Sequence, residues 1–386
     1  MAGRSLTALA LISFIALGLP EGATGVAWPS IAEDFDRSIS QLGVLLAAIV
    51  VGYFIASSLT GTITSRIGIG WTLVVSSALS TLGLFGFAFS PTWAALVAMM
   101  VVLGAGSALI DAGLNAYMAL HEGPRVMNLL HASFGLGATI GPIIITLFLV
   151  GPGSWRTGYF VFGLIQMALT IAFLRTRKRW GETHPVTGPG PPPRLSGVIA
   201  SSLALFALYT GFEVAAGQWS FSVLSEGRGV AEGAAGFWVA AYWGSLTAGR
   251  LMAGAIGDRL RPQAALAGGM ATAAAGAILF WWNPATWVGA LGLLLIGFGL
   301  APVFPTLVLL TPRRVGTGRS TAVVGYQLAA AAAGAALLPG IVGLLVNRYG
   351  LDAVAPALVV YAVVLILAAE ITRRLATTAA PTTAQL

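Results

Sequence analysis

Four ionisable side chains sit in stretches otherwise suited to hydrocarbon: Glu21 in GLPEGATG, Asp111 in LIDAGLNAY, His131 in NLLHASFG and Glu213 in GFEVAAGQWS. On insertion scales a charged group at membrane depth costs about 2.5–3.5 kcal/mol, so such residues are functional candidates by default. Asp111 lies about eighteen residues into its apolar segment, past the midplane at about 1.5 Å per residue. Burial disfavours the charged form of a carboxylate, so this one can bind and release a proton. Asn115 is one helical turn further on the same face. Asp111 is read as a proton-coupling carboxylate with Asn115 as its hydrogen-bonding neighbour. The alternative is a protonated or amide-paired acid that tightens helix contact. Glu21 follows Pro20 and lies between Gly18 and Gly22. The sequence there predicts broken backbone hydrogen bonding, which hydrocarbon tolerates only beside protein or a cavity. Glu21 is read as a second coupling acid, or as part of a gate near the outer mouth.

A second group of residues suits solute recognition. His131 and Asn128 are three apart on one face. The imidazole can donate to a hydroxyl, pair with Asp111 or relay protons, or simply pack at the interface. Glu213, Gln218 and Trp219 follow one another in a later segment, where Glu213 and Gln218 share a face only if the helix unwinds at Gly217. Such unwinding is common in transporters. Trp219 offers a flat apolar face and one N–H, which suits stacking on a sugar ring or a place in an interfacial belt. Tyr242, one turn from Trp238, suits a cavity wall or a lipid-facing surface. Gln327 is an amide that needs a partner or a cavity. Asn115, Asn128, His131, Glu213, Gln218, Trp219, Tyr242 and Gln327 form the candidate substrate-binding set.

Metal and cofactor chemistry find no support in this pattern. Three histidines and no cysteine give no ligand cluster. GLGATIG contains GxxxxG but lacks the Lys-Ser/Thr of a phosphate loop; it reads as a small-residue face for close helix approach. There is no HExxH, no plausible Ser/His pairing within one segment and no cofactor fingerprint, so an intramembrane enzyme is not indicated.

The elements that must position these residues are membrane helices. The chain is 57% hydrophobic and 9% charged, with mean hydropathy +0.88, against roughly 25% charged in a soluble domain. Turn and charge punctuation predicts twelve spans, over 5–30, 39–64, 70–90, 93–120, 126–150, 156–175, 196–224, 232–257, 263–283, 286–311, 318–347 and 352–373. The net charge of +7 does not indicate nucleic acid, because the basic residues fall between apolar spans. With the N-terminus inside, sixteen Lys and Arg, Arg250 among them, fall on the cytoplasmic side and only Arg37, Arg156, Arg228 and Arg348 outside. That bias places both termini in the cytoplasm. The basic, then Pro/Gly-rich stretch 175–195 reads as a cytoplasmic linker between a six-helix bundle at 1–174 and another at 196–386. The expected partners are a small-molecule substrate and the lipid bilayer, with the chain a monomer.

The two halves echo one another. GTITSRIG (61–68) follows the second span and GAIGDRLR (254–261) the eighth. These paired loops resemble the cytoplasmic signature of the major facilitator superfamily, whose loop supplies a close-contact glycine and an Asp/Arg latch. Carried over, the latch residues are Gly61 and Arg66, with Ser65 where the acid usually stands, and Gly254, Asp258 and Arg259. Within that superfamily, DAGLNAY (111–117), NLLHASFGLGATIGP (128–142), GFGLAPVFPT (297–306) and GYQLAAAAAGAALLPGIVGLL (325–345) resemble the fucose-permease-type sugar:proton symporters and their uncharacterised relatives. The resemblance implies the major facilitator fold and alternating access. It implies proton-coupled symport of a small polar solute, with acids at the positions of Asp111 and Glu21 in coupling roles. No cofactor is implied beyond the proton, for which sodium is an open substitute. Two other readings remain open: a proton-coupled exporter of drugs, metabolites or amphipathic lipids, and a membrane solute sensor that does not transport.

Overall fold

The computed structural model describes residues 3–122, 124–181, 195–257 and 261–379. The elements are helices: α1 (Arg4–Asp34), α2 (Leu42–Ala88), α3 (Trp93–His121), α4 (Pro124–Val150), α5 (Trp155–Thr176), α6 (Gly197–Ser222), α7 (Glu232–Ile256), α8 (Pro262–Trp282), α9 (Thr286–Leu300), α10 (Val303–Val315), α11 (Thr317–Tyr349) and α12 (Val354–Ala379).

Among the described residues, ten helical segments are long and apolar enough to cross a membrane. The twelve separate spans expected from the sequence are therefore met only in part. The expected spans 39–64 and 70–90 both lie within α2, which joins two helices across a kink rather than through a loop. That helix is too long for one crossing of a core that takes about 20 residues. Gly68, at φ 79° and ψ 157°, divides it. The expected span 286–311 is conversely two helices. Pro302 cannot continue the ladder and Pro305 removes a donor, so α9 stops at Leu300 and α10 starts at Val303. Pro339, by contrast, lies inside α11, which runs on through it. The 25-residue α7 is not among the ten; it is rich in Gly and Ala and carries Arg250.

The dihedrals of Gly68 lie where only glycine is comfortable. Gly68→Val is therefore expected to cost about 1–3 kcal/mol although no neighbour would obstruct its side chain. Thermal unfolding in detergent checks this. An unchanged midpoint would show that the bend relaxes freely.

Each half is held together by small residues facing backbone. In the first half Gly137 and Gly141 of α4 lie against the carbonyls of Ile15 and Leu19 on α1. In the second, Gly334 of α11 lies against the carbonyl of Ala207 on α6. The GLGATIG stripe thus does pack a helix closely, as van der Waals contact between membrane helices requires.

The halves meet at the face opposite the one where α1 begins. Gly25 of α1 abuts the backbone of Gln218 on α6, Gly43 at the start of α2 meets Gly340 of α11, and Gly236 of α7 meets Thr146 of α4. The α4–α7 contact continues down to Gly135 against Thr247. Beyond that point the halves part. Among the described residues nothing stands against Gly61, Gly254 or Gly325, and α3 makes at most marginal contact with α9 and α10. The halves therefore diverge toward the face where α1 starts, and the space between them is the candidate cleft.

Candidate functional site

The first-half acid is held by neutral donors. Tyr53 Oη of α2 donates to Asp111 Oδ2 at 2.5 Å, and Asn115 Nδ2 donates to Oδ1 at 2.8 Å and to the Asp111 carbonyl at 2.9 Å. The one-turn spacing within α3 brings Asn115 to Asp111. Close packing of α2 on α3, with Gly52 on the Val101 carbonyl and Gly104 on that of Ile49, brings Tyr53. Asp111 and Asn115 are half-buried. His131, on α4, is exposed and stands edge-on to Phe14 at 5.9 Å. It feels the charges of both Asp111 and Arg250. Asn128, one turn away, is exposed as well.

The second-half acid is held differently. Glu213 of α6, 9% exposed, accepts from Arg250 Nη2 of α7 at 3.1 Å through Oε2 and 3.3 Å through Oε1. Tyr209 Oη donates to Glu213 Oε2 and receives Arg250 Nη2 at 3.3 Å. Tyr242 Oη donates to the Glu213 carbonyl at 2.7 Å. Arg250 corrects the sequence reading, which counted it with the loop charges. It lies on α7 six residues before the helix ends, facing an acid rather than a headgroup. The signal was present, since no charge separates it from Glu232 in an otherwise apolar run. Tyr53 and Tyr209 were missed because each matters through a partner that the sequence pattern alone does not single out.

Glu21, half-buried on α1, makes no side-chain hydrogen bond among the described residues and interacts electrostatically with Glu213 across the halves. The backbone around it is a continuous helix through Pro20, not the interrupted one expected. Its carbonyl accepts Gln218 Nε2 at 2.7 Å, so Gln218 ties α6 to α1 at the closed junction. α6 is likewise unbroken at Gly217, which packs under the rings of Trp243 and Tyr242. Glu213 and Gln218 therefore serve different neighbours.

Besides Gln218, which is buried at the closed junction, three further members of the expected substrate set lie in packing rather than along the open cleft in this conformation. Trp219 is fully buried and donates to the Pro339 carbonyl at 3.0 Å. Tyr242 is fully buried behind Glu213. Gln327 is fully buried, with Nε2 donating to Ser202 Oγ at 2.5 Å and Oε1 accepting from Thr311 at 3.0 Å. Among the latch residues, Gly61 and Gly254 face open space and Arg66 is exposed. Asp258 and Arg259 lie outside the described residues.

A helical bundle with two packed halves and a polar cleft between them is the architecture of a membrane transporter. The profile of the Major Facilitator Superfamily matches residues 10–339, and the chain belongs to that superfamily. It is 24% identical over 384 residues to human sodium-dependent glucose transporter 1, covering 87% of this chain and 73% of the relative. It is 21% identical over 306 residues to the fosmidomycin resistance protein of Escherichia coli, covering 75% and 74%. Among solved structures, a bacterial homologue of the human lysosomal transporter Spinster superposes with TM-score 0.78 at 14% identity, covering 98% of this chain and 97% of that one. The E. coli fucose:proton symporter superposes with TM-score 0.66 at 15% identity, covering 97% and 99%. The chain is a multi-pass membrane transporter related in fold to the fucose-permease type.

Proposed function

We propose that this transporter moves a small polar solute, a sugar, by proton-coupled symport through alternating access. In this reading the chain crosses the membrane twelve times, with α2 counted twice and α9 and α10 together once. Residues 1–174 and 196–386 are the two rocking bundles, and both termini are cytoplasmic, so the cleft described above is open inward. The observation that carries the reading is Asp111, clamped by Tyr53 and Asn115 with no cation in contact among the described residues. Asn115 and Asn128 supply amides for solute hydroxyls. Protonation at Asp111 changes what Tyr53 and His131 face, and this biases one conformation over the other. A ligand shifts such an equilibrium only by its differential affinity for the two states.

The test is uptake of a panel of labelled hexoses into proteoliposomes under an imposed pH gradient, with a sodium gradient as the comparison. Asp111→Asn is expected to lower gradient-driven accumulation by about 5- to 150-fold, the range of an ordinary coupling free energy. Solute exchange without a gradient is expected to persist. Full gradient-driven uptake by the variant would remove Asp111 from coupling. Sodium-driven uptake alone would replace the proton. The fosmidomycin resistance relative, matched over a similar share of the chain, supports an exporter as the second reading. Efflux without uptake would favour it.

A further inference from the structure

Arg250 is only partly engaged. A guanidinium carries five N–H donors and no acceptor. Every hydrogen bond that Arg250 makes within the described residues runs through Nη2, to Glu213 and Tyr209. Nε and Nη1 are left over. They are not sealed in packing, since the side chain is 27% exposed and neither atom is a buried, unpartnered one.

The direction of that exposure follows from the neighbouring contact. Thr247, three residues before Arg250 on α7, touches Gly135 of α4 at the lowest point where the halves still meet. His131, four residues before Gly135 on α4, interacts electrostatically with Arg250. Arg250 and His131 thus face one another just where the cleft opens, one from each half. A cation with free donors at the vertex of a solute cleft is a site for an anion. Charge-assisted hydrogen bonds are the strong ones, and arginine is the residue that matches carboxylate and phosphate.

The surrounding charges decide between those anions. Glu213 touches Arg250, Glu21 interacts with Glu213, and Asp111 interacts with His131. The Glu213 carboxylate in contact with Arg250 already offsets its charge, so a dianion there meets a net repulsion that a monoanion largely escapes. We propose that the transported solute is a hydroxylated monocarboxylate, such as a sugar acid, whose carboxylate takes the free donors of Arg250 while its hydroxyls reach His131 and Asn128. The proposal rests on the cleft being a solute path. Arg250, already half-neutralised by Glu213, becomes the anion selector of that path.

Binding measured on the purified full chain in detergent, by intrinsic tryptophan fluorescence, tests this without requiring transport. The probes are glucuronate, gluconate, glucose and glucose 6-phosphate. Either carboxylate is expected to bind about tenfold or more tighter than glucose, the ratio a hydrogen bond to a charged group contributes. Glucose 6-phosphate is expected to bind more weakly than the carboxylates. Arg250→Lys keeps the charge but not the fork, and is expected to lose most of the preference. The paired variant Arg250→Gln with Glu213→Gln removes both charges together and is expected to bind glucose and glucuronate alike. Glucose binding as tightly as the carboxylates would overturn the anion assignment while leaving a sugar transporter in place. So would a preference surviving in the paired variant. Tighter binding of the phosphate would overturn the carboxylate assignment, and no binding of any probe would overturn the proposal as a whole.

Discussion

Arg250→Ala, with Glu213 intact, is expected to be the most destabilising single change in the cleft. Removing one partner of a buried ion pair costs about 3–5 kcal/mol, because the survivor is left as an uncompensated buried charge. Here the survivor is a carboxylate whose side chain is 12% exposed. Its remaining partners are the Tyr209 hydroxyl and, at the backbone, Tyr242. The partial exposure of Arg250 puts the expected loss toward the lower end of that range. Replacing both partners by neutral groups is a different case, since paired removal of buried ions is often neutral or stabilising. Arg250→Gln with Glu213→Gln is therefore expected to recover most of the lost stability. Thermal unfolding in detergent, run on the wild type, Arg250→Gln, Glu213→Gln and the pair, gives the coupling energy directly. A single-variant loss under about 1 kcal/mol would place the pair with solvent-exposed ion pairs rather than with buried ones.

The pair also shows where reading the chain succeeds and fails. Glu213 was legible because a carboxylate in GFEVAAGQWS violates the solvent the segment is built for. Arg250 obeys a rule that fits loops as well as sites, so counting basic residues absorbed it. Asp111 and Asn115 were legible as a pair because their spacing is local, one turn of a helix. Tyr53 was not, because its partnership with Asp111 depends on the rotation of α2 about its own axis. Trp219 and Gln327 were legible as polar groups needing partners, but the chain does not say which partner. Carbonyls and hydroxyls of neighbouring helices satisfied both, and the cleft was not needed. Glycine was similarly double-edged. The stripe at Gly137 and Gly141 signalled close packing correctly, whereas the glycines around Glu21 signalled a broken helix that is not there. They serve instead to bring α4 against α1 at Gly18 and Gly22, and α6 against α1 at Gly25.

That last contact gives the other large expected effect. Gly25→Leu is predicted to open the closed face. A Cβ on Gly25 would stand 2.6 Å from the Cα and 2.8 Å from the carbonyl carbon of Gln218. The obstacle is backbone, so no rotamer change relieves it, and α1 and α6 must move apart. Overpacking of this kind costs about 1–3 kcal/mol. The cost falls only on conformations in which this face is shut, because the two helices belong to different halves. The variant therefore shifts the population toward conformers open at that face, by about tenfold for each 1.4 kcal/mol. The chain contains no cysteine, so one introduced thiol reports without background. Ser222 is fully buried one turn beyond Gln218, with no hydrogen-bond partner for its hydroxyl among the described residues, and Ser222→Cys is a near-isosteric reporter. Labelling of that thiol by a water-soluble maleimide is expected to be slow in the parent and about tenfold faster or more with Gly25→Leu. Net transport is expected to fall, since a cycle that cannot shut one face cannot complete. Unchanged labelling, with transport intact, would mean that α1 and α6 do not form the moving seal between the halves.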